Sequence, residues 1–581
     1  MAFYYFFYII SFIGFAIASL SAGISERLTK KISDTNYLLL ILFLVSFLRL
    51  PSIVFNSELN PDESQTITQA ITLLRDPIYW ASVDGTTIGP VNSYLLLIPS
   101  IFGFPLDYIG ARVVGLGLIL LSLYFFSKGL RLFMPEKTYR LVLLGLSIFF
   151  GWTVWYDFLH YTSELSSLPI LTGCFYMVSA ILTGRKHSVS WYFVLGIVAG
   201  IIPYCKLQSV PILAGPIIIT YTYIFAQRRN LFKLTSALSL GLVVPSILVL
   251  GFCLAYHVLP DFYLFYIESN LLGYKELYSQ DVAQKTIWAK LMVLPYVIAH
   301  YLDLLPLIGI CWFLGFLCLQ VYYEDAKQIS RGNRWQLGLG FITGLLAIYC
   351  VASPGTRFGH HLLLLVFPIA WLIGCCLAIV KDRFSVGFVQ KLTIGLPSTF
   401  LFFILLRFTL YGFFSESSST FNPHPSSLKF PERAEIEQDR AFHINPFLYC
   451  FTQKMTMSES AVSREIKKLT EPEEQIAVWG WNCTYYVESQ RSQGVRENQT
   501  QRCAVKNSYQ AIYLSRYVAD LAKNKPALFL DAVGPASLHL NEAHYEHQNF
   551  RLLASYIAKH YKFLKVVSGV RIFKRIPANE G

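Results

Sequence analysis

YLLLILFLVSFLRLPSIVFNSELNPDESQ, residues 37–65, decides the fold of this chain. The stretch starts with an apolar run long enough to cross a bilayer, and it ends in a polar segment that continues to about residue 105. Asn60 has the character of a helix N-cap, Pro61 suits the first helical position, and Glu63 stands where a capping-box acid belongs. The stretch therefore predicts a membrane helix that leads into a second, short helix.

The apolar residues of this second helix repeat with a helical period. Ile67, Ala70, Ile71 and Leu74 follow one another at positions i, i+3, i+4 and i+7, and Pro77 ends the pattern. The repeat predicts a short amphipathic helix that lies on the membrane surface.

Asp62 and Glu63, two adjacent acids at the start of this helix, have two interpretations. They can simply cap the helix and complement its positive end. Alternatively, one of them is a catalytic base, because a carboxylate at a helix N-terminus is favoured in its ionised form and faces whatever binds there.

The composition indicates a polytopic membrane protein. The chain has 581 residues, of which 54% are hydrophobic and 14% charged, with a mean hydropathy of +0.46; a soluble protein has about 25% charged residues. The net charge of +12 is scattered between apolar runs, and there is no basic stripe, P-loop or glycine-rich nucleotide motif. The charge therefore orients the protein in a membrane and does not indicate nucleic-acid binding.

Apolar runs of membrane-spanning length predict about twelve helices. They lie near residues 3–23, 37–55, 107–127, 141–156, 165–183, 191–208, 210–226, 235–256, 302–323, 336–352, 361–380 and 393–413. The N-terminal run lacks the basic region of a signal peptide, so it is expected to be retained.

The basic loops all fall on one side if these helices alternate in direction. By the positive-inside rule that side is cytoplasmic. The long loops 56–106 and 257–301, the turn at Lys206, the whole C-terminal tail and the residues discussed below then share the outer side. Long ordered loops often carry function.

The tail has a different composition. Residues 415–454 are expected to be a linker and residues 455–581 a small soluble α/β domain, because helical and strand patterns alternate there. Residues 1–36 are an additional helix with a cytoplasmic loop, and residues 37–414 are the transmembrane domain. Cys483 and Cys503 could form a disulfide if the tail is extracytoplasmic.

Two further charged residues stand at outer helix ends. Glu164 begins an outgoing helix and is either a capping acid or a functional one. Lys206 interrupts two apolar helices and is either a snorkelling lysine or a functional cation. Charges at such positions are costly, which favours a functional interpretation.

A third cluster reads Ser353-Pro354-Gly355-Thr356-Arg357-Phe358-Gly359-His360-His361. A zinc site is not expected there, because adjacent histidines converge poorly and no third ligand is nearby. Arg357, His360, His361 and Lys206 on one membrane face are better suited to an anion such as a phosphate.

A carboxylate base together with a cationic phosphate site suits glycosyl transfer from a lipid-phosphate-linked sugar. The base removes a proton from an acceptor hydroxyl, and the cations stabilise the departing phosphate. A lipid-linked donor also explains why no nucleotide fold is found.

In these motifs the chain resembles the GT-C-fold membrane glycosyltransferases, in the branch of the bacterial aminoarabinose transferases and protein O-mannosyltransferases. The resemblance rests on the Asp62-Glu63 pair, the acid at Glu164, the turn Lys206-Leu207-Gln208 and the segment from Pro354 to His361, and it covers roughly residues 37–413.

The resemblance implies a polyprenyl-phosphate sugar donor, with Asp62 as the general base. Glu63 and Glu164 are then site-organising or acceptor-organising acids, and Lys206, Arg357, His360 and His361 contact the donor phosphate. It implies a multi-pass protein of the bacterial plasma membrane with an extracytoplasmic tail domain. The acceptor (glycan, lipid or protein) stays open. An acid pair can hold a divalent cation, but the pattern offers too few oxygens to place one.

Two other classes of protein compete with this interpretation. A transporter or flippase would also have about a dozen helices, but its ionisable residues are expected near the bilayer midplane, in interrupted helices of matching halves. An assembly protein with an inert membrane part would leave the acidic pair and the Arg357 cluster unexplained.

Overall fold

The computed structural model describes residues 10, 13–24, 30–153, 155–228, 230–277, 287–325, 329–356, 358–380, 456–535 and 537–577. The α-helices of its membrane part are, in chain order, Asp34–Val54 (α1), Pro61–Leu73 (α2), Pro90–Leu95 (α3), Ile98–Ile101 (α4), Tyr108–Leu130 (α5), Glu136–Trp152 (α6), Tyr156–Leu159 (α7), Ser163–Leu182 (α8), Val189–Gly200 (α9), Val210–Gln227 (α10), Leu231–Ala255 (α11), Leu259–Asp261 (α12), Tyr274–Leu277 (α13), Ile287–His300 (α14), Leu305–Asp325 (α15), Arg331–Ala352 (α16) and Leu363–Val380 (α17). Wide π-helical turns occupy Leu20–Ile24 and Phe262–Gly273.

Seven helices within the described residues are long and apolar enough to cross a membrane. They are Tyr108–Leu130, Ser163–Leu182, Leu207–Gln227, Leu231–Ala255, Leu305–Glu324, Arg331–Ala352 and Gly359–Val380. A polytopic helical membrane protein is therefore confirmed, whereas the predicted number of about twelve is not. The predicted helix at 393–413, part of that at 3–23 and the linker at 415–454 lie outside the described residues.

The loop predicted at 257–301 contains more helix than its sequence suggested. The π-helical Phe262–Gly273 and α14 both lie within it. The domain boundaries stay predictions.

The membrane helices pack in close pairs around an apolar core. α5 packs against α8, α9 against α11, and both α15 and α16 against α17. In the core, the Trp371 ring stacks on Phe175 with ring centroids 4.7 Å apart. The approach of α9 to α11 requires glycine, because a Cβ atom at Gly241 would lie 2.1 Å from the Phe193 carbonyl oxygen.

The short helix α2 begins as its sequence predicts. Asn60 is its N-cap and accepts a hydrogen bond from the Asp62 amide (3.0 Å), with Pro61 in the first turn. Every residue from Glu63 to Leu73 is buried, so the helix does not expose the polar face that a surface-lying amphipathic helix would have.

The polar face of α2 is buried because the tail domain covers it. The Thr68 hydroxyl donates to the Cys483 carbonyl (3.2 Å), and the Asn498 side chain donates to the Gln65 carbonyl (2.8 Å). These partners lie more than 400 residues away along the chain, so no local pattern could indicate them.

The tail is a small α/β domain, as predicted. Its elements are Ala461–Leu469 (α18), Ile476–Trp479 (β1), Thr484–Ser489 (α19), Gln501–Ala504 (α20), Gln510–Asn524 (α21), Leu528–Asp531 (β2), Arg551–His560 (α22), Tyr561–Val567 (β3) and Val570–Arg575 (β4). The sheet has the order β1-β2-β4-β3, with β1 parallel to β2 and the other neighbours antiparallel.

Cys483 and Cys503 do not form a disulfide in this domain. Both thiols are free and buried. The Cys483 thiol donates to the Asn498 carbonyl (3.2 Å), and the Cys503 thiol donates to the Glu497 carboxylate (3.1 Å).

Candidate active site

The two acids at the start of α2 have different surroundings. The Asp62 side chain is 29% exposed, and its Oδ2 atom lies 3.8 Å from His360 Nε2. That separation is too long for a hydrogen bond. Within the part of the chain that the structure describes, neither carboxylate oxygen of Asp62 accepts a hydrogen bond, so both remain available to a substrate.

Glu63, by contrast, is fully buried and fully engaged. Its carboxylate accepts hydrogen bonds from Arg112 at Nε (3.0 Å) and Nη2 (2.6 Å) and from the Tyr161 amide (2.9 Å). This buried ion pair fastens the start of α2 to α5 and to the segment before α8. The geometry supports a site-organising role for Glu63 and leaves no open oxygen for proton transfer.

Glu164 in the first turn of α8 and Lys206 form a second buried pair. The Lys206 ammonium hydrogen-bonds Glu164 Oε1, and both side chains are at most 6% exposed. The snorkelling interpretation of Lys206 is therefore wrong. Glu164 also accepts from the hydroxyls of Thr162 and Ser163, so its carboxylate is occupied by side chains.

The loop between Asp84 and Asn92 fixes the backbone at Lys206. Ile88 pairs with Lys206 in an isolated antiparallel bridge. The Gly89 amide (2.9 Å) and the Asn92 side chain (2.6 Å) both donate to the Cys205 carbonyl. The predicted outer loop thus holds Lys206 in place for its contact with Glu164.

His360 and His361 bring these acids together. They lie on the 3-10 turn Gly359–Leu362 that leads into α17, and both are buried. His360 Nδ1 lies 3.3 Å from Asp157 Oδ1 while its Nε2 atom faces Asp62, and His361 Nε2 lies 3.7 Å from Glu164. Five predicted residues, Asp62, Glu164, Lys206, His360 and His361, therefore meet at one place, and Arg357 lies outside the described residues.

Asp157 and Tyr301 are site residues that the sequence did not indicate. Asp157 lies on the short helix α7, where its buried carboxylate accepts hydrogen bonds from the Tyr301 hydroxyl and from His360. Burial alone would raise the pKa of Asp157, but the hydrogen bond and charge of His360 hold it well below its usual range. An acid in the outer-side segment before Glu164 was the available signal.

Glu164, His360 and His361 are also a candidate metal-ligand set. Their ligand atoms lie within 4.8 Å of one another, and all three side chains are buried. The expectation that no third ligand lies near the two histidines is therefore wrong, because folding brings in Glu164 from about 200 residues away. Two imidazoles and a carboxylate suit a transition-metal ion. A metal-binding histidine typically also hydrogen-bonds a second group such as a carboxylate, and His360 does so with Asp157.

No family model matches the chain, and no curated protein matches it significantly. Solved structures do match. ArnT from Cupriavidus metallidurans bound to undecaprenyl phosphate has a TM-score of 0.52 and 14% identity, over 94% of this chain and 100% of that chain.

Two structures of the Archaeoglobus fulgidus oligosaccharyltransferase also match at 12% identity. That with Zn and sulfate has a TM-score of 0.43, over 93% of this chain and 74% of that chain. That with an inhibitory peptide and a dolichol-phosphate has a TM-score of 0.41, over 94% and 75%. The likeness to ArnT concerns the fold alone: this chain folds like ArnT over 94% of its length, in agreement with the predicted GT-C fold.

Proposed function

We propose that this protein transfers a sugar from a polyprenyl-phosphate-linked donor to an acceptor hydroxyl on the extracytoplasmic face of a bacterial plasma membrane. The observation that carries the proposal is the contrast between the two acids of α2. Asp62 keeps an open carboxylate beside a cluster of cationic and imidazole groups, while Glu63 is committed to Arg112.

Asp62 acts as the general base. Its carboxylate takes the proton of the acceptor hydroxyl, and the hydroxyl oxygen forms a bond to the anomeric carbon of the donor sugar. The bond between that carbon and the phosphate oxygen breaks, and the lipid phosphate leaves with the electron pair. The proton ends on Asp62 and the negative charge on the leaving phosphate.

The groups around Asp62 suit this charge movement. Lys206, His360 and His361 meet within hydrogen-bonding or near-contact distance of the acids Glu164 and Asp62. Together with Arg357 they can bind the donor phosphate and stabilise the charge that grows on it. Undecaprenyl phosphate is the ligand of the ArnT structure, which supports a lipid phosphate as the leaving group.

Glu164, His360 and His361 are the residues that would hold a divalent cation. Such an ion would neutralise phosphate charge. In this structure the Lys206 ammonium pairs with the Glu164 carboxylate and supplies a positive charge beside these three residues.

The position of the cluster distinguishes this proposal from a transporter. Glu164 lies in the first turn of α8, and His360 and His361 directly precede α17. These are helix ends, which suit a reaction at the membrane surface better than the interrupted midplane helices expected of a transporter.

The test is transfer by the purified full-length protein, incubated with a panel of radiolabelled polyprenyl-phosphate sugars and candidate acceptors. We expect at least one donor to be consumed, and Asp62→Asn to lower the rate by at least 100-fold because the base is lost. Asp76→Asn changes an exposed acid just after the same helix and should transfer normally. Normal transfer by Asp62→Asn would show that the assigned base is wrong.

A further inference from the structure

One edge of the tail sheet lies against the start of α2. Because β1 and β2 are parallel, their carboxyl ends meet at the same edge, which is where α/β sheets generally bind ligands. The Trp481 amide, just after β1, donates to Ser537 Oγ (2.8 Å), and the Leu538 amide donates to the Trp481 carbonyl (3.4 Å). These bonds join the loop after β1 to the loop after β2.

This edge is fastened within two helical turns of Asp62. The Cys483 carbonyl accepts from Thr68, and the Tyr108 hydroxyl lies 3.0 Å from both the Ser64 and the Thr484 hydroxyls. The loops at the carboxyl ends of β1 and β2 are therefore neighbours of the proposed base, although they belong to a different part of the chain.

Two aromatic side chains stand on these loops. The ring centroids of Trp481 and His539 are 5.7 Å apart at an angle of 56°. His539 is exposed and has a φ of 58°, a left-handed conformation that is uncommon for a residue other than glycine. Trp481 is only 7% exposed, and within the described residues its Nε1 atom has no hydrogen-bond partner.

Asp62 lies close enough to His539 to act on its titration. The surrounding protein atoms lower the pKa of His539, and the negative charge of Asp62 opposes this. This agrees with the hydrogen bonds that hold the neighbouring tail loop against the start of α2.

We infer that His539, backed by Trp481, forms a sugar-binding wall beside Asp62. An aromatic face packs against the apolar face of a sugar ring, while a neighbouring carboxylate accepts a hydrogen bond from a sugar hydroxyl. The inference rests on the proposed function and extends it, since the tail domain then supplies part of the substrate site. The ring bound there comes either from the donor or from a carbohydrate acceptor.

The test is protection of His539 from diethyl pyrocarbonate in the full-length protein in nanodiscs, followed by peptide mass spectrometry. The probes are a panel of methyl glycosides, undecaprenyl-phosphate sugars, and undecaprenyl phosphate alone. We expect sugar-bearing probes to slow the modification of His539 several-fold and undecaprenyl phosphate to leave it unchanged. His544, an exposed histidine of the same domain, is the internal control and should react equally with every probe.

The pattern of protection identifies the source of the sugar. Protection by methyl glycosides indicates a carbohydrate acceptor, and protection by lipid-linked sugars alone indicates the donor. Equal reaction of His539 with all probes, or equal protection by undecaprenyl phosphate alone, would overturn the inference.

Variants check the assignment independently. Trp481→Ala should raise the probe concentration needed for half-maximal protection of His539 by about tenfold, and Trp481→Ala and His539→Ala should each raise the KM of the sugar concerned by about tenfold. Trp481→Phe should retain most of the binding, and His544→Ala all of it. Protection of His539 without sugar transfer from any donor would refute the proposed function but support the sugar site. Sugar transfer without protection of His539 would support the proposed function and refute the sugar site.

Discussion

Glu63 and Arg112 form an ion pair whose two side chains are at most 1% exposed. Arg112 also donates to the backbone carbonyls of Ser52 (3.0 Å) and Ser57 (2.6 Å), so its guanidinium joins α1, α2 and α5. A buried pair of this kind adds little net stability, but removal of one partner leaves an uncompensated buried charge.

Glu63→Gln should therefore destabilise the protein by about 3 kcal/mol or more, because Arg112 loses its counter-charge inside the protein. Thermal unfolding in detergent measures the effect. The double variant Glu63→Gln/Arg112→Met should recover part of the loss, since no charge is then left buried. Equal stability of Glu63→Gln and the unchanged protein would show that the pair does not hold the start of α2.

Single residues of the site were predictable where a charge interrupts an apolar pattern. Lys206 and Glu164 stand out in this way, and the structure pairs them. Asp157 does not stand out, because its importance comes from His360, which lies 203 residues further along the chain. The tertiary fold determines which residue pairs with a buried charge, and the local sequence does not indicate that partner.

At the scale of elements, the loop from Asp84 to Asn92 acts as a support for Lys206. Gly89 lies against the backbone just before Lys206, and a Cβ atom there would lie 2.1 Å from the Tyr204 carbonyl oxygen and 2.7 Å from the Tyr266 hydroxyl. Backbone atoms cannot move aside as a flexible side chain can, so this approach requires glycine.

Gly89→Ala should displace the loop from Cys205 and shift Lys206 relative to Glu164. We expect a loss of about 1–3 kcal/mol in stability from overpacking, together with a reduced transfer rate. The melting temperature and the transfer assay measure these effects. Gly117→Ala, in a helix where a Cβ atom meets nothing within 4 Å, is the matched control and should change neither.

Elements were predictable wherever their pattern is local. The apolar runs gave helices such as α5, α8 and α17 to within a few residues, and alternating patterns gave the strands of the tail. The environment of α2 was not predictable, because the tail domain that covers its polar face is remote in sequence. An amphipathic pattern indicates that one face is buried, but it does not exclude burial of the other.

At the scale of the whole molecule, a group of buried and partly buried charges joins the tail domain to two loops of the membrane part. Arg516 of the tail hydrogen-bonds Asp84, and Arg496 bonds Asp261 (2.7 Å). Glu497 lies within this group, 3.8 Å from Arg516, and is 2% exposed. Two arginines thus hold three or more acids close together, which makes this junction sensitive to charge.

The stability of the junction should depend on pH through Glu497. Burial raises the pKa of Glu497 to about 7 from its ordinary 4.5, and Asp84 adds to this against the opposing charge of Arg516. Between those two values the folded state keeps a proton that the unfolded state has lost. The free energy of unfolding therefore falls as the pH rises from about 4.5 to about 7, by at most about 3 kcal/mol.

Glu497→Gln removes this titration while keeping the size of the side chain. We expect the variant to be more stable than the unchanged protein at pH 8, with the difference shrinking as the pH falls below about 7 and vanishing near 4.5. Melting temperatures between pH 5 and pH 8 measure the difference. Glu542→Gln alters an acid of the same domain that is 68% exposed and should give the pH profile of the unchanged protein. If Glu497→Gln gave that same profile, titration of Glu497 would not be the cause of the pH dependence.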